Sequence, residues 1–295
     1  MSTFSLPSFA KINWTLRVLG KRGDGFHELF TVFQTVSLSD MLHFREGETL
    51  ELTCDDPNIP TDERNLIVQA ANAIREKFGV DKGAAIHLEK RIPSPGGLGG
   101  GSSNAAVALV GLNRLWELDL PLYELHSIAE ELGSDVPFFL YGGTAMGTGR
   151  GERIVPIDDI QAANMLIITP PVAVATAEAF FGLNAPALTL EASSRILTVC
   201  RSEALTLDPR RSALINDFES MVLSAHPEIA WAKTALLELG AVNAAMSGSG
   251  ASVFAIFDNI ETRQTAIKAL DHESTWRKFA VATISRDEYR EALLN

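Results

Sequence analysis

Three groups of residues in this chain could do chemistry together: a run of glycines, a carboxylate set among apolar residues, and a lysine beside an asparagine. The run is Ile92-Pro93-Ser94-Pro95-Gly96-Gly97-Leu98-Gly99-Gly100-Gly101-Ser102-Ser103-Asn104, and it holds five of the chain's 22 glycines. Glycine permits φ > 0 and lets a ligand approach the backbone closely. The serines are good N-cap residues for the apolar helical pattern that follows through Val107, Leu109, Val110, Leu112 and Leu115. A glycine loop opening a helix presents unpaired N–H groups and the positive end of the helix dipole, which suits phosphate. By itself such a run is usually a turn or linker, and the serine pair with an alanine-rich helix directly behind it shifts the reading toward phosphate binding. It is not a P-loop, which ends in Gly-Lys-Ser/Thr. Nor is it G-x-G-x-x-G, because Gly97 and Gly99 would require glycine where Ser102 stands.

The carboxylate is Asp135 in Ser134-Asp135-Val136-Pro137-Phe138-Phe139. It reads either as the N-cap of a new helix or as a catalytic acid held on a rigid element. Lys11 and Asn13 share one face of the alternating segment Phe9–Leu19, whose other face is Ile12, Trp14, Leu16 and Val18. That pattern predicts a half-buried strand with a polar face. Ser247-Gly248-Ser249-Gly250, before the strand Val253–Phe257, is a small-residue turn or a second backbone clamp on phosphate.

Several elements must position these groups. Gly20 to Glu28 is a glycine-punctuated hairpin turn carrying Lys21, Arg22, Phe26 and His27. A second alternating strand follows through Leu38, with shorter strands at Met41–Arg45 and Leu50–Cys54. Asn65 opens a helix to Phe78, stopped by Gly79. Ala84–Lys90 is a strand that delivers the chain into the glycine loop. A helix at Leu122–Leu132 is stopped by Gly133, and glycines 142–151 mark turns around a short strand. Beyond a composition shift near Pro156–Ala163 come a strand at Met165–Thr169, a helix near Thr176–Phe181, and an unpatterned stretch to Pro209. A helical zone from Asn216, a helix at Ile229–Leu239, and a final helix, strand (Phe279–Ile284) and helix complete the chain. The predicted domains are 1–158 and 159–295.

Bulk properties narrow the function class. At 295 residues, 46% of them hydrophobic, the chain can bury one large or two medium cores. No apolar run approaches the ~18 residues of a membrane span. Met1–Phe9 has no basic region or apolar signal core, and Cys54 and Cys200 lie far apart, so the expectation is a cytoplasmic protein with no membrane partner. The six histidines are too scattered for a metal centre. A net charge of −12 argues against nucleic acid and demands local cations for any anionic substrate. Lys11, Lys21, Arg22, Lys90 and Arg91 are the candidates.

The polar strand face, the glycine loop and the Ser-Gly-Ser-Gly turn, in this order and spacing, resemble the three motifs of the GHMP kinase superfamily. Ala10-Lys11-Ile12-Asn13, Gly25-Phe26-His27-Glu28-Leu29, Asn65-Leu66-Ile67, the loop itself and Gly133-Ser134-Asp135-Val136-Pro137 narrow the resemblance. They point to the branch that phosphorylates the 2-hydroxyl of 4-diphosphocytidyl-2-C-methylerythritol in non-mevalonate isoprenoid synthesis. The resemblance implies an α+β fold with a ribosomal-S5-like N-terminal domain, a ferredoxin-like C-terminal domain and a cleft between them. It implies a small-molecule kinase, monomer or homodimer, using ATP and Mg2+. Asp135 would be the catalytic carboxylate and Lys11 its partner. Asn13, Phe26, His27, Thr176 and Phe180, with Gly248, Ser249 and Gly250, would bind the cytidyl substrate. Pro93, Gly96, Gly97, Leu98, Gly99, Gly100, Gly101, Ser102 and Ser103 would bind the ATP phosphates, with Asn65, Lys90 and Asn104 around the adenosine. Ser103 is the one hydroxyl offered to the metal. Three departures stand out: Phe26 replaces the family's usual tyrosine, Pro95 a small residue, and Trp14 adds bulk. A kinase for homoserine, mevalonate or a sugar is the nearest rival, and a silent nucleotide-binding module a more distant one.

Overall fold

The structure is a computed structural model and describes residues 3–183 and 190–294. It opens with a long antiparallel hairpin, β1 (Thr3–Lys21) and β2 (His27–Gly47). The strand pattern thus starts six residues before Phe9, and the two strands expected between Phe30 and Arg45 are one. Register shifts at Phe9/Ala10, Asn13/Thr15 and Val18/Gly20 bend the hairpin without ending it. Its length gives β2 several partners. Residues 41–47 pair with β4 (Gly83–Glu89), and residues 29–34 pair with β5 (Thr144–Gly149). β3 (Leu50–Cys54) lies parallel to β4, and β6 (Arg153–Pro156) pairs with β5.

Three helices pack on this sheet. α1 (Leu66–Phe78) begins where Asn65 Oδ1 accepts the Ile67 N–H and ends at Gly79 in the left-handed region, φ 64°. α2 (Gly100–Leu115) follows the glycine loop, and α3 (Leu122–Leu132) ends at Gly133. The buried face of α2 includes Val107, Leu109, Leu112 and Leu115, whose burial contributes about 1.5–3 kcal/mol per side chain. The cap of α2 differs from expectation. It is Gly99, with φ 69° and no side-chain cap bond, so Ser102 and Ser103 sit inside the first turn.

The second sheet has the order β11-β7-β10-β9 and is antiparallel throughout: β7 (Met165–Thr169), β9 (Asn243–Met246), β10 (Val253–Ile256) and β11 (Arg277–Val281). Around it lie α4 (Thr176–Gly182), α5 (Leu190–Leu205), α6 (Glu219–Ala225), α7 (Pro227–Glu238) and α8 (Ile260–Ala269). The stretch read as unpatterned contains α5, and its residues 184–189 lie outside the described residues. The last strand ends at Val281 rather than Ile284; Thr283 instead makes an isolated bridge to Val36 of β2.

Two elements of the second half return to the first sheet. β8 (Ile215–Asn216), which takes in Asn216 from the start of the expected helical zone, pairs in parallel with β1, and α9 (Arg286–Leu294) buries Tyr289 in the first core. A further cluster lies between the sheets, where the fully buried Trp14 meets Phe254 edge-on at 5.4 Å.

Candidate active site

Lys11 and Asn13 point from β1 into the space between the sheets. Both are 3% exposed, so the polar face of the strand is covered. The reason is a chain of polar contacts that satisfies it. Lys11 Nζ donates to Asn13 Oδ1 at 2.8 Å and stands 3.4 Å from Asp135 Oδ2. Asn13 Nδ2 donates to Thr31 Oγ1 at 2.7 Å, and Thr31 in turn donates to the Thr15 carbonyl. A buried ammonium needs this kind of pairing.

The glycine loop and the Ser-Gly-Ser-Gly turn cover that face by touching each other. Lys11 N donates to Leu98 O at 2.9 Å, and Ser252 N donates to Gly96 O at 3.2 Å. Ser247 Oγ donates to Gly97 O at 2.9 Å, and Gly248 N donates to Asn13 Oδ1 at 3.0 Å. Asn216 Nδ2 holds the turn from below, donating to Met246 O and Gly248 O at 2.8 Å each. Glycine is required at Gly97, with φ +70°: a Cβ there would lie 2.1 Å from Ser247 O. At the start of α2 the first N–H groups have no intrahelical partner, and Gly97, Gly99 and Ser102 line the cleft beneath them.

Asp135 is not an N-cap. The short 3₁₀ turn Pro137–Leu140 is capped by Val136, with no side-chain cap bond. The Asp135 side chain is 33% exposed toward the cleft, between the buried Val136–Leu140 segment and Lys11. Tyr289 of α9 donates its hydroxyl to the Phe139 carbonyl and secures this turn. Burial pushes the Tyr289 phenol above its ordinary range.

At the other end the cleft, about 1040 Å³, is lined by aromatic rings. His27 stacks on Phe180 at 4.9 Å and 22°, and Phe180 meets Phe218 edge-on. Burial first, and then the charge of Lys21, hold the His27 imidazole below its usual 6.5. Phe26 is 53% exposed, with the Arg150 guanidinium carbon 4.9 Å from its ring centroid. Thr176 and Ser249 share a hydroxyl bond of 2.9 Å across the mouth.

The cleft therefore gathers Asp135, Lys11, Asn13, Phe26, His27, Thr176, Phe180, Gly248, Ser249 and Gly250, with Gly97, Gly99 and Ser102. Pro93, Gly96, Leu98, Gly100, Gly101, Ser103, Asn104, Asn65 and Lys90 do not line it. Asn65 is occupied as the α1 cap and donates to Pro60 O. Lys90 Nζ is buried against Asp40 Oδ2 at 2.7 Å and Ile92 O at 2.6 Å. Of the adjacent serines, Ser103 is fully buried and accepts a bond from Ser8, which also donates to Asn104 Oδ1. Of the five cations proposed from sequence, Lys11 and Lys21 line the cleft. Arg22 pairs with Asp24 and Glu28, and Arg91 with Glu89. Sequence reasoning missed Arg150 and Phe218. The glycines flanking Arg150 were the available signal; Phe218 carried none.

Two family descriptions match this chain. "GHMP kinases N terminal domain" covers residues 65–143 and "GHMP kinases C terminal" covers 203–274. The chain is a GHMP kinase. A 4-diphosphocytidyl-2-C-methyl-D-erythritol kinase of Solibacter usitatus (strain Ellin6076) is 40% identical over 97% of this chain and 90% of its own. One from Prochlorococcus marinus (strain MIT 9303) is 42% identical over 90% and 87%. A crystal structure of 4-(cytidine 5'-diphospho)-2C-methyl-D-erythritol kinase superposes with a TM-score of 0.76 at 31% identity, covering 95% of this chain and 99% of that one. A homoserine kinase from Cytophaga hutchinsonii, at 22% identity and TM-score 0.71 over 98% and 96%, shares the fold. The chain belongs to the 4-diphosphocytidyl-2-C-methyl-D-erythritol kinase family.

Proposed function

We propose that this protein transfers the γ-phosphoryl group of ATP to the 2-hydroxyl of 4-diphosphocytidyl-2-C-methylerythritol, a step of isoprenoid precursor synthesis. The observation that carries the reading is the Lys11–Asp135 pair, 3.4 Å apart, in a cleft with the glycine loop at one side and the His27–Phe180 stack at the other. Phosphoryl transfer has a loose transition state, so the protein's work is positioning and charge stabilisation. Asp135 accepts the hydrogen bond of the reacting hydroxyl and aims it, and takes its proton as the new bond forms. Lys11 supplies positive charge beside the transferring group. Asn13 holds both Lys11 and the Gly248 N–H, so it ties the acceptor side to the loop side. Gly97, Gly99 and Ser102, loop residues that line the cleft, face the ATP phosphates. Phe26, His27 and Phe180 form the cytosine wall, where Phe26 retains the stacking face without a phenolic hydroxyl.

Magnesium accompanies ATP in this reading and neutralises phosphate charge. The described residues hold no cluster of three metal-ligating side chains. Asp135 is the one carboxylate among the described residues lining the cleft, beside the hydroxyl residues Thr31, Ser102, Ser134, Thr176 and Ser249, a lining that would suit an ion held largely by phosphates and water. The reading divides the chain at 158/159, supported by the two sheets, with β8 and α9 crossing back. It sets a monomer or homodimer in the cytoplasm; both cysteines are free, and among the described residues no helix is long and apolar enough to cross a membrane. Release of ADP from ATP and magnesium, measured with the cytidyl alcohol, homoserine and mevalonate in parallel, tests the reading. Turnover is expected with the first alone; turnover with either of the others instead would displace it.

A further inference from the structure

The ammonium of Lys11 sits on a flexible four-carbon stem, so its place beside Asp135 depends on what restrains it. Asn13 Oδ1 is that restraint, accepting from Lys11 Nζ at 2.8 Å and from Gly248 N at 3.0 Å. The Gly248 N–H belongs to the peptide that joins Ser247 to Gly248. The carbonyls on either side of that peptide, Met246 O and Gly248 O, are the two that Asn216 Nδ2 binds, each at 2.8 Å. Asn216 therefore straddles the peptide whose N–H addresses Asn13. The turn also packs directly on the ammonium: a Cβ on Gly248, at φ +59°, would lie 3.3 Å from Lys11 Nζ.

The partners of the Asn216 amide fix its orientation. Its Oδ1 accepts the Phe218 N–H at 3.0 Å, so its nitrogen must face the two carbonyls. Asn216 is buried, and it is tied to β1, the strand that bears Lys11 and Asn13. Leu16 is its register partner, Asp217 N donates to Leu16 O at 3.0 Å, and Val18 N donates to Asp217 Oδ2 at 2.7 Å. A turn held by the second sheet alone would be free to shift against β1. Asn216 instead references the 246–249 backbone to the same strand that carries the lysine.

We propose that Asn216 is a positioning residue for phosphoryl transfer. It aims the Gly248 N–H at Asn13, so that Asn13 turns its oxygen to Lys11 and keeps the ammonium beside Asp135. This rests on the Lys11–Asp135 reading above. Without the Gly248 donor the Asn13 amide loses one of its restraints and the ammonium can swing, and a misplacement of about 1 Å at a reacting centre lowers the rate by about 100-fold.

Asn216→Asp tests this by exchanging the amide nitrogen for oxygen. The carboxylate still accepts from Phe218 N, but it sets an oxygen against Met246 O and Gly248 O and repels the turn. Asn243→Asp is the control. Asn243 Nδ2 makes the same double contact at the other end of β9, to Pro209 O at 3.0 Å and Ser212 O at 2.9 Å, and none of these three residues lines the cleft. Both variants should lose thermal stability. Assayed with the cytidyl alcohol below both melting points, Asn216→Asp should lower kcat by about 10- to 100-fold and leave the KM for ATP within about 3-fold. Asn243→Asp should keep kcat within about 2-fold of wild type. In an Asn13→Ala background, Asn216→Asp should lower kcat by no more than about 2-fold further, as a residue acting through Asn13 requires. The Gly248 amide proton should exchange at least about 10-fold faster in Asn216→Asp than in wild type or Asn243→Asp. Independent effects of Asn13→Ala and Asn216→Asp, equal kcat losses in Asn216→Asp and Asn243→Asp, or an unchanged Gly248 exchange rate would each overturn the proposal. A wild type that phosphorylates homoserine or mevalonate instead would displace the acceptor reading alone, since the same comparison runs on that alcohol. A wild type with no transfer to any of the three would overturn the phosphoryl-transfer reading, and the role of Asn216 with it.

Discussion

Gly97→Ala should damage this protein in two ways that can be measured separately. At φ +70° an alanine costs about 1–2 kcal/mol of backbone strain. Its Cβ would meet Ser247 O at 2.1 Å and Gly250 O at 2.9 Å, both backbone atoms that no rotamer change can move. The 247–250 turn would have to retreat by about 1 Å to reach ordinary contact in a close-packed interior. That retreat strains two hydrogen bonds, Ser247 Oγ to Gly97 O and Ser252 N to Gly96 O, each contributing about 0.5–1.5 kcal/mol. The total is roughly 2–5 kcal/mol, and at about 2 °C per kcal/mol for a chain of this size the melting temperature should fall roughly 4–10 °C. Because the same retreat displaces cleft-lining backbone by about 1 Å, kcat/KM should fall by about two decades. Gly101→Ala is the thermal control. Gly101 lies within α2, and a Cβ there would meet only Leu66 Cδ1, at 3.9 Å. Alanine should stabilise that helix by about 1 kcal/mol. Differential scanning calorimetry of both variants decides the matter. A Gly97→Ala protein melting within about 1 °C of wild type would refute the argument, and so would a Gly101→Ala protein destabilised as much as Gly97→Ala.

Lys90→Met should cost about 3–5 kcal/mol in urea unfolding, because Asp40, fully buried, loses its cation. Adding Asp40→Asn should recover part of that loss, and strict additivity would count against a coupled pair. His27 should titrate below 6.5 in its own proton resonances, and Lys21→Met should raise that midpoint by removing a neighbouring positive charge. Between the folded midpoint and 6.5 the unfolded chain binds more protons at this site than the native one. The site's contribution therefore lowers stability as pH falls through that window and levels off beneath it. Comparing melting temperatures of wild type and His27→Gln across that range isolates the effect, and no pH-dependent difference would contradict it.

Elements bounded by local chemistry were legible in the sequence. Asn65 and Gly79 mark the ends of α1, and Gly133 the end of α3, because a cap is a short-range event. β2 was harder to read. Ser37 and Asp40 interrupt its apolar alternation, yet the strand continues: Ser37 N donates to Ala282 O, and Asp40 accepts from Lys90 and from the Arg91 and Ile92 amides. Those partners are distant in sequence. The burial of Lys11 and Asn13 was not legible, because the 97–99 and 247–250 backbones that cover them come from elsewhere in the chain. Arg150 read as part of a turn, since its closeness to Phe26 arises from the β2–β5 pairing. Lys90 was grouped with the ligand-binding cations, and its burial against Asp40 was invisible without that same long strand.

The central claim is that Asp135 and Lys11 form the centre of phosphoryl transfer. A single-turnover assay tests it directly, following label from γ-labelled ATP into the cytidyl alcohol in wild type and Asp135→Asn, with ATP affinity measured alongside. The account predicts a transfer rate lower by about two to four decades in the variant, with ATP binding changed by no more than a few fold. Transfer at near wild-type rate in Asp135→Asn would contradict it.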